Sequence, residues 1–428
     1  MRKLRLRKVG PMTSGQPVLD ESMTAEAEEA LDQISADLLR VDPATLGGPA
    51  WASGASGLAI VHSHLALRFP DRPHEACAQT LLEGALDWVQ SNSIAPWLVG
   101  GLAGIGWTVE RLAGANAEDE HDPNAGLDDS LRRLLARPKG LPCEFIAGVA
   151  GLAVYAMERA HRATGRNLLE AIARRLIDEA HSIDGQRTAW LSMPEWDTFN
   201  HHSAPYFNFG VGHGVPGTLA VVSSLVERDI LAGELVPLLR RASEWLLAQR
   251  LPSGDAWFRS TSDDAGGPTR TAWCYGDPGV AWALMLAARA LGDRMLQSEA
   301  IAVAVHAAAR PVIHTGVTDA GLCHGAAGLG HVFRRMSILH PDRLVFRQAA
   351  RDWFERALRM RVEGAPFGGF RAHHPEKMVP GSPLVFRDDP GVLTGASGVA
   401  LAFLSALDES IVGWDAPMMV CAETPTGS

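Results

Sequence analysis

The sequence predicts an all-α protein, an α/α toroid in which seven helical hairpins close into a ring. Three observations carry this prediction. A Gly-x-x-Gly unit recurs seven times, each copy runs into an apolar stretch, and apolar residues between the copies recur at helical spacing rather than in strand-like alternation. One hairpin cannot bury its own apolar face, whereas a ring of hairpins buries all of them. We therefore expect a single closed domain.

The glycine units recur with a period close to the length of one helical hairpin. The steps between their first glycines are 47, 47, 66, 62, 49 and 70 residues. Because glycine lets two backbones approach closely, an inner helix is expected to begin just after each first glycine. These first glycines are Gly54, Gly101, Gly148, Gly214, Gly276, Gly325 and Gly395.

The segments between the glycine units predict the outer helices and the insertions. Residues 237–250 and 347–361 are amphipathic, as expected for helices with one face on a core. The longer steps indicate insertions near residues 182–208 and 364–390, predicted to be loops over one face, and the aromatic residues of the first suggest contact with a peptide. The expected domain limits are a flexible basic arm at 1–30, the toroid at 31–410 and a C-terminal tail at 411–428.

Composition excludes several classes of protein. The chain has 428 residues, 46% of them hydrophobic, and a formal net charge of −10, which argues against a nucleic-acid partner. Five scattered cysteines do not form the pattern of a disulfide framework and favour a reducing cytoplasm. No stretch is predicted to span a membrane, and no apolar signal region follows the basic N-terminus. We expect a cytoplasmic protein.

The residues just before the first glycines distinguish three copies from the others. The fourth copy has His213, the fifth has Cys274 and Tyr275, and the sixth has Cys323 and His324. The other copies have small or aliphatic residues here that are neither metal ligands nor acids or bases. If the copies are equivalent, the side chains of copies four to six lie at the same end of neighbouring hairpins around one cavity.

Two thiols and an imidazole are a good ligand set for Zn²⁺, which would be held by Cys274, Cys323 and His324. Three protein ligands with an open position is the arrangement of a catalytic zinc site. Thiolate ligands make the metal electron-rich, which favours activation of a thiol over activation of water. On the residues alone, His213 as a fourth ligand remains an alternative, and so does a hydrolytic zinc-bound water.

These motifs resemble the lanthionine synthetase C (LanC)-like family of lanthipeptide cyclases. The resemblance is carried by WCYGDPG at 273–279, CHGAAG at 323–328 and GHGVPG at 212–217, and the glycine repeats extend it over about residues 50–405. It implies the seven-hairpin toroid with a catalytic zinc on Cys274, Cys323 and His324. The further active-site residues that it implies are His213 as an essential histidine, Tyr275, Arg270, and Glu144 in place of the family's aspartate.

The resemblance also implies a reaction. A cysteine thiolate of a dehydrated precursor peptide adds to a dehydroalanine or dehydrobutyrine and forms a lanthionine or methyllanthionine ring. His213 is the candidate to protonate the enolate, Arg270 to stabilise its charge, and Glu144 to orient His213. The chain length leaves no room for a dehydratase domain, so the expected partners are the precursor peptide (leader plus core), a separate dehydratase and a transporter, in a complex peripheral to the membrane.

Two other functions fit part of the pattern. A LanC-like protein that binds glutathione, or one that acts as a scaffold, would keep the fold without cyclase activity. A zinc protein prenyltransferase also alkylates a peptide thiol on an α/α toroid, but it would predict an Asp-Cys-His ligand set rather than Cys-Cys-His.

Overall fold

Helices make up most of the fold, together with two short antiparallel strand pairs. The computed structural model describes residues 18–113, 122–137, 140–197, 202–264, 269–377, 379 and 381–420. In this part of the chain the α-helices are α1 (Glu21–Leu38), α2 (Ala55–Arg68), α3 (His74–Ser91), α4 (Leu102–Ala113), α5 (Ala125–Leu135), α6 (Val149–Glu158), α7 (Ala163–Asp178), α8 (Val215–Glu227), α9 (Ala232–Ala248), α10 (Asp277–Leu291), α11 (Arg294–Ala309), α12 (Ala326–Leu339), α13 (Leu344–Arg359) and α14 (Ala396–Leu407). The strands are β1 (His181–Ser182), β2 (Thr188–Ala189), β3 (Arg371–Pro375) and β4 (Leu384–Asp388).

Each even-numbered helix begins directly after the first glycine of a repeat, which confirms the predicted inner helices. Gly276 shows why glycine is needed there: its φ is +123°, and a Cβ would lie 2.1 Å from the carbonyl oxygen of Arg270. The second glycine of a unit is equally constrained, since a Cβ on Gly217 would lie 2.1 Å from the carbonyl oxygen of Val211. The repeat is therefore a tight loop that folds back onto the start of its helix.

The inner and outer helices differ in how much of their surface is buried. On α14 every residue from Ala396 to Ala406 is buried, as expected for a helix that is apolar all round. On α13 only one stripe is buried, including Phe346, Trp353 and Phe354, while the opposite face carries charge. The inner helices thus form the core, and the outer helices cover it.

The described residues form two compact units. The first comprises the described residues within 18–127, 318–377 and 382–420, and the second comprises those within 128–317 together with 379 and 381. Within the first unit the inner helices pack in the order α12, α14, α2, α4. Within the second unit they pack in the order α6, α8, α10.

The N-terminal boundary expected from the sequence is wrong for residues 21–30, because they are helical. Helix α1 is capped by Asp20, buries Met23, Ala27 and Ala30, and packs against α14. It is therefore the outer partner of α14 and completes the last helix pair. The basic stretch of the expected arm lies at 1–17, outside the described residues.

The C-terminal boundary is also wrong for residues 411–420, which are packed rather than a tail. Trp414 and Asp415 are fully buried. The Asp415 carboxylate pairs with His331 Nε2 and with Arg335 Nη2, each at 2.8 Å. Residues 421–428 lie outside the described part, and the other domain limits stay predictions.

The strand pairs lie in or at the edge of the two expected insertions. β1 pairs with β2, and beyond them an isolated bridge joins Ser192 to Tyr206. A second bridge joins Asn208 to Thr261, so the first insertion is tied by main-chain bonds to the loop before α10. β3 pairs with β4 over five residues in the second insertion. Among the described helices, none has both the length and the apolar character needed to cross a bilayer.

Candidate active site

Main-chain hydrogen bonds connect equivalent positions of successive repeats. In every repeat the position that forms these bonds lies two residues before the first glycine. In the second unit Ile146 N–H donates to the carbonyl of Gly212 at 3.0 Å, and Gly212 N–H donates to that of Cys274 at 3.2 Å. The first unit has the same series, in which Cys323 donates to Leu393 (2.9 Å), Leu393 to Ala52 (2.9 Å) and Ala52 to Val99 (3.2 Å). Within each unit the repeats are therefore structurally equivalent at this position, as the sequence comparison assumed.

The four residues expected to be catalytic line one cavity of the second unit. Its volume is about 470 Å³, and Glu144, His213, Arg270 and Tyr275 all contribute to its surface. The first insertion supplies another part of the lining, namely Trp190, Leu191, Ser192, Trp196, Asp197 and Tyr206. The structure thus brings together the predicted polar residues of three repeats and gives them an aromatic wall.

His213 and Glu144 form an ion pair within this cavity. The distance from His213 Nδ1 to Glu144 Oε2 is 3.1 Å, and the imidazole is 46% exposed. The Glu144 carboxylate is fixed by its own loop, because it accepts hydrogen bonds from the N–H groups of Ile146 and Ala147. The extra methylene of glutamate relative to the family's aspartate therefore does not prevent contact with the histidine.

Glu144 also determines the ionisation of His213. Burial by itself lowers the pKa of the imidazole, but the hydrogen bond and the negative charge of Glu144, together with smaller effects of Cys274 and Asp197, outweigh burial, so the pKa of His213 is raised. With Nδ1 on the carboxylate, the Nε2 edge of the ring is left for the cavity. The pair can hold a proton on His213 and present it to a bound molecule.

Two tyrosines line the cavity and have different hydrogen-bond partners. Tyr275 accepts a hydrogen bond from Asn208 Nδ2 at 2.8 Å, whereas the Tyr206 hydroxyl donates to Asp197 at 3.3 Å. Burial raises the pKa of both phenols, so both keep their protons at neutral pH. Arg270 is exposed and lines both this cavity and a neighbouring one of about 450 Å³.

The candidate metal ligands are two cysteines and one histidine. Cys274, in the second unit, is a buried cysteine that is not in a disulfide and directly precedes Tyr275. Cys323, in the first unit, is also buried and not in a disulfide, and it precedes the half-buried His324. Both cysteines occupy the same position of their repeats. By donor chemistry, two thiolates and one imidazole are a set that can hold a zinc ion.

Two polar residues near the site were missed by the sequence analysis. Asn208 contacts Tyr275, and Asp319 has its Oδ2 atom 3.8 Å from His324 Nε2. Both lie six residues before a first glycine, where their carbonyls accept from the N–H of the first helical residue, Val215 or Ala326. The signal was present in the sequence, because this position is Gly, Ala or Pro in copies one to three and polar in copies four to seven.

Comparison with a solved structure identifies the fold as an α/α toroid of helical hairpins, as predicted. The chain is similar to nisin cyclase with a TM-score of 0.69 and 16% identity, over 94% of this chain and 98% of that one. The family described as lanthionine synthetase C-like protein matches residues 45–419, and the chain belongs to this family. A curated relative, glutathione S-transferase LANCL1 of Danio rerio, is 25% identical over 343 residues, or 75% of this chain and 77% of that protein. The resemblance stated from the sequence motifs is confirmed.

Proposed function

We propose that this protein is a zinc-dependent lanthipeptide cyclase that forms lanthionine and methyllanthionine rings in a dehydrated precursor peptide. The observation that carries the proposal is the cavity in which the His213–Glu144 pair lies with Tyr275 and Arg270. Membership of the lanthionine synthetase C-like family and similarity to nisin cyclase support it.

The proposed zinc ligands are Cys274, Cys323 and His324. Their chemistry fits the ion, since both cysteines are buried, are not in a disulfide and occupy equivalent positions of two repeats. These three residues would hold the ion, which when bound would accept a substrate thiol as a further ligand and lower the pKa of that thiol. His213 is assigned to proton transfer rather than to the metal, because its Nδ1 is paired with Glu144.

The residues of the cavity have distinct roles in the proposed addition. The substrate thiolate forms a C–S bond to the β-carbon, and the π electrons move onto the peptide carbonyl oxygen as an enolate. Arg270 and Tyr275 stabilise the negative charge that develops there. His213 then gives its proton to the α-carbon, and Glu144 stabilises the imidazolium before that transfer.

The wall formed by Trp190, Trp196 and Tyr206 suits a peptide substrate. Aromatic side chains offer large apolar area together with hydrogen-bonding groups, and the insertion that carries them borders the catalytic residues. We propose that the substrate is a precursor peptide with leader and core. We place the reaction in the cytoplasm, with a separate dehydratase and a transporter as partners in a complex at the membrane surface.

The test combines zinc analysis with thiol counting. The zinc-loaded protein is incubated with a dehydrated, cysteine-containing peptide, and free thiols are alkylated and counted by mass spectrometry over time. Cyclisation removes thiols without changing the mass of the peptide before alkylation. Cys274→Ala and Cys323→Ala should abolish both zinc binding and thiol loss, whereas Cys77→Ala, at a cysteine outside the cavity lining, is the matched control. A zinc-free variant with full activity would contradict the proposal.

Similarity to a glutathione S-transferase supports a second candidate function. That relative, LANCL1, is named for transfer of glutathione, which is also a thiol. The same residues would then activate the thiol of glutathione, a separate molecule, for addition to the dehydroamino acid of a peptide. The two functions differ in their products, because transfer adds the mass of one glutathione and leaves peptide thiols free, whereas cyclisation consumes the peptide's own thiol. A competition assay with both thiols present distinguishes them.

A further inference from the structure

Asn208 is a buried amide whose two ends contact different partners. Its Oδ1 atom accepts a hydrogen bond from Gly210 N–H at 2.9 Å. Its Nδ2 atom lies 2.8 Å from the hydroxyl oxygen of Tyr275. The residue is almost fully buried, at the bridge between the first insertion and the loop before α10.

The main chain determines which end of the amide faces Tyr275. A backbone N–H can only donate, so the amide oxygen must face Gly210 and the NH₂ group must face the phenol. Tyr275 therefore accepts from Asn208, and its own proton points away from this contact. No other hydrogen bond to this hydroxyl occurs among the described residues.

The second tyrosine of the cavity provides a contrast. The Tyr206 hydroxyl donates to Asp197, so its proton is already engaged within the protein. Tyr275, which also borders the cavity, keeps an O–H that can donate to a bound molecule. The difference between the two phenols is the carboxylate of Asp197, which accepts from Tyr206, whereas the Asn208 amide acts on both hydroxyls.

We propose that Asn208 is a positioning residue that holds Tyr275 as a hydrogen-bond donor to the substrate, an inference that rests on the proposed cyclase function. During addition, the new C–S bond forms as the π pair moves to the carbonyl oxygen of the dehydroamino acid. The Tyr275 O–H donates a hydrogen bond to that oxygen and keeps its proton. When His213 protonates the α-carbon, the carbonyl is restored and the ring is complete.

The test reverses this hydrogen bond with a nearly isosteric change. Asn208→Asp keeps an acceptor for Gly210 N–H but presents Tyr275 with an acceptor in place of a donor, so the phenol would donate to the new carboxylate. We expect kcat to fall by about 10²-fold, since loss of one oxyanion donor has an effect of that order, with little change in KM. Zinc content and melting temperature are measured on each variant as controls.

A double-mutant cycle separates positioning from a general structural effect. Tyr275→Phe alone should lower kcat by a similar factor, and Asn208→Asp should have almost no further effect in the Tyr275→Phe background. If the two effects multiply, or if Asn208→Asp retains full kcat, the inference is wrong. Should the aspartate variant fail to fold, the cycle is run with Asn208→Ala, which must also lose its effect when Tyr275 is replaced.

An assay of the wild-type protein distinguishes failure of the proposed cyclase function from failure of the proposed role of Asn208. If it forms no ring in any dehydrated peptide, the proposed cyclase function is wrong. If it forms rings and the cycle is multiplicative, the cyclase function stands and the role of Asn208 is wrong.

Discussion

At the residue scale, the pair of Glu144 and His213 shows how a loop can set the charge of a catalytic group. The carboxylate is anchored by two backbone N–H groups, and it outweighs the effect of burial on the imidazole. The proton that His213 is proposed to donate is therefore held by a charge that is itself fixed by the fold.

Replacing Glu144 should change both the rate and the pH range of the reaction. Glu144→Gln keeps a polar group but removes the charge, so the pKa of His213 should fall. Because His213 acts in its protonated form, activity that is lost as pH rises through this pKa should be lost at a lower pH in the variant. We expect kcat at neutral pH to fall by about 10²-fold.

The measurement for this prediction is the pH dependence of kcat, together with an NMR titration of the His213 ring. Glu144→Asp is the matched control, because it retains the charge and restores the residue type of the family pattern, and it should keep the pH profile of the wild type. An unchanged profile in Glu144→Gln would contradict the proposed role of the pair.

Alignment of the repeats found the residues next to the glycines, and the family resemblance added Glu144 and Arg270, but Asn208 and Asp319 were missed. His213, Cys274 and Tyr275 adjoin a first glycine, so alignment of the repeats picks them out. Asn208 and Asp319 lie six positions before a first glycine, where polar residues occur in copies four to seven, but this pattern alone assigns no partner to either side chain. Their roles depend on which atom faces which partner, and only the three-dimensional contacts determine that.

At the element scale, the repeated glycines mark where the chain closes tightly onto the start of an inner helix. The inner helices were predictable because this contact requires glycine in every copy. Helix α1 was not predictable in the same way, because it has no glycine unit and its partner α14 lies at the other end of the sequence. Local pattern identifies a helix more readily than it identifies a distant partner.

Two glycine substitutions should therefore change stability in opposite directions. A Cβ on Gly217 would approach the carbonyl oxygen of Val211 and lie 2.9 Å from the Cβ of Phe145, so Gly217→Ala should destabilise the fold by about 2 kcal/mol or more. Gly84 is exposed on the outer helix α3, and a Cβ there meets nothing within 4 Å. Gly84→Ala should stabilise the fold by about 0.5–1 kcal/mol.

Denaturant unfolding of the two variants beside the wild type measures this difference. Gly84→Ala serves as the control for the chemical change itself, since both variants add one methyl group to a helix. Equal effects in the two variants would show that close approach of the backbone is not what the repeated glycine provides.

At the scale of the whole molecule, several histidines are buried in their neutral form. They belong to the first unit, and burial is the main cause of their lowered pKa values. The pKa of His62 falls to about 3, and those of His64, His74 and His331 fall to about 4. His62 and His74 share a hydrogen bond of 2.8 Å between their Nδ1 atoms, so their protonation is coupled.

These histidines should make the fold sensitive to mild acid. In the unfolded chain a histidine has a pKa near 6.5, above the lowered values in the fold, so between about pH 6.5 and pH 4 the unfolded state binds more protons. Their contribution to stability is complete above pH 6.5 and is lost as the pH falls through this window. Each histidine that the fold keeps neutral contributes up to about 1.4 kcal/mol per pH unit to the slope of the free energy of unfolding against pH.

Denaturant unfolding between pH 8 and pH 4 tests this dependence. His331→Gln removes one buried titrating group while keeping a side chain that can donate to Asp415, so its stability should fall less steeply with acid than that of the wild type. His161→Gln, at an exposed position, should leave the slope unchanged. Because each buried imidazole takes up its proton only when the chain unfolds in this pH range, a free energy of unfolding that stays constant from pH 6.5 to pH 4.5 would show that these groups are not held neutral by the fold.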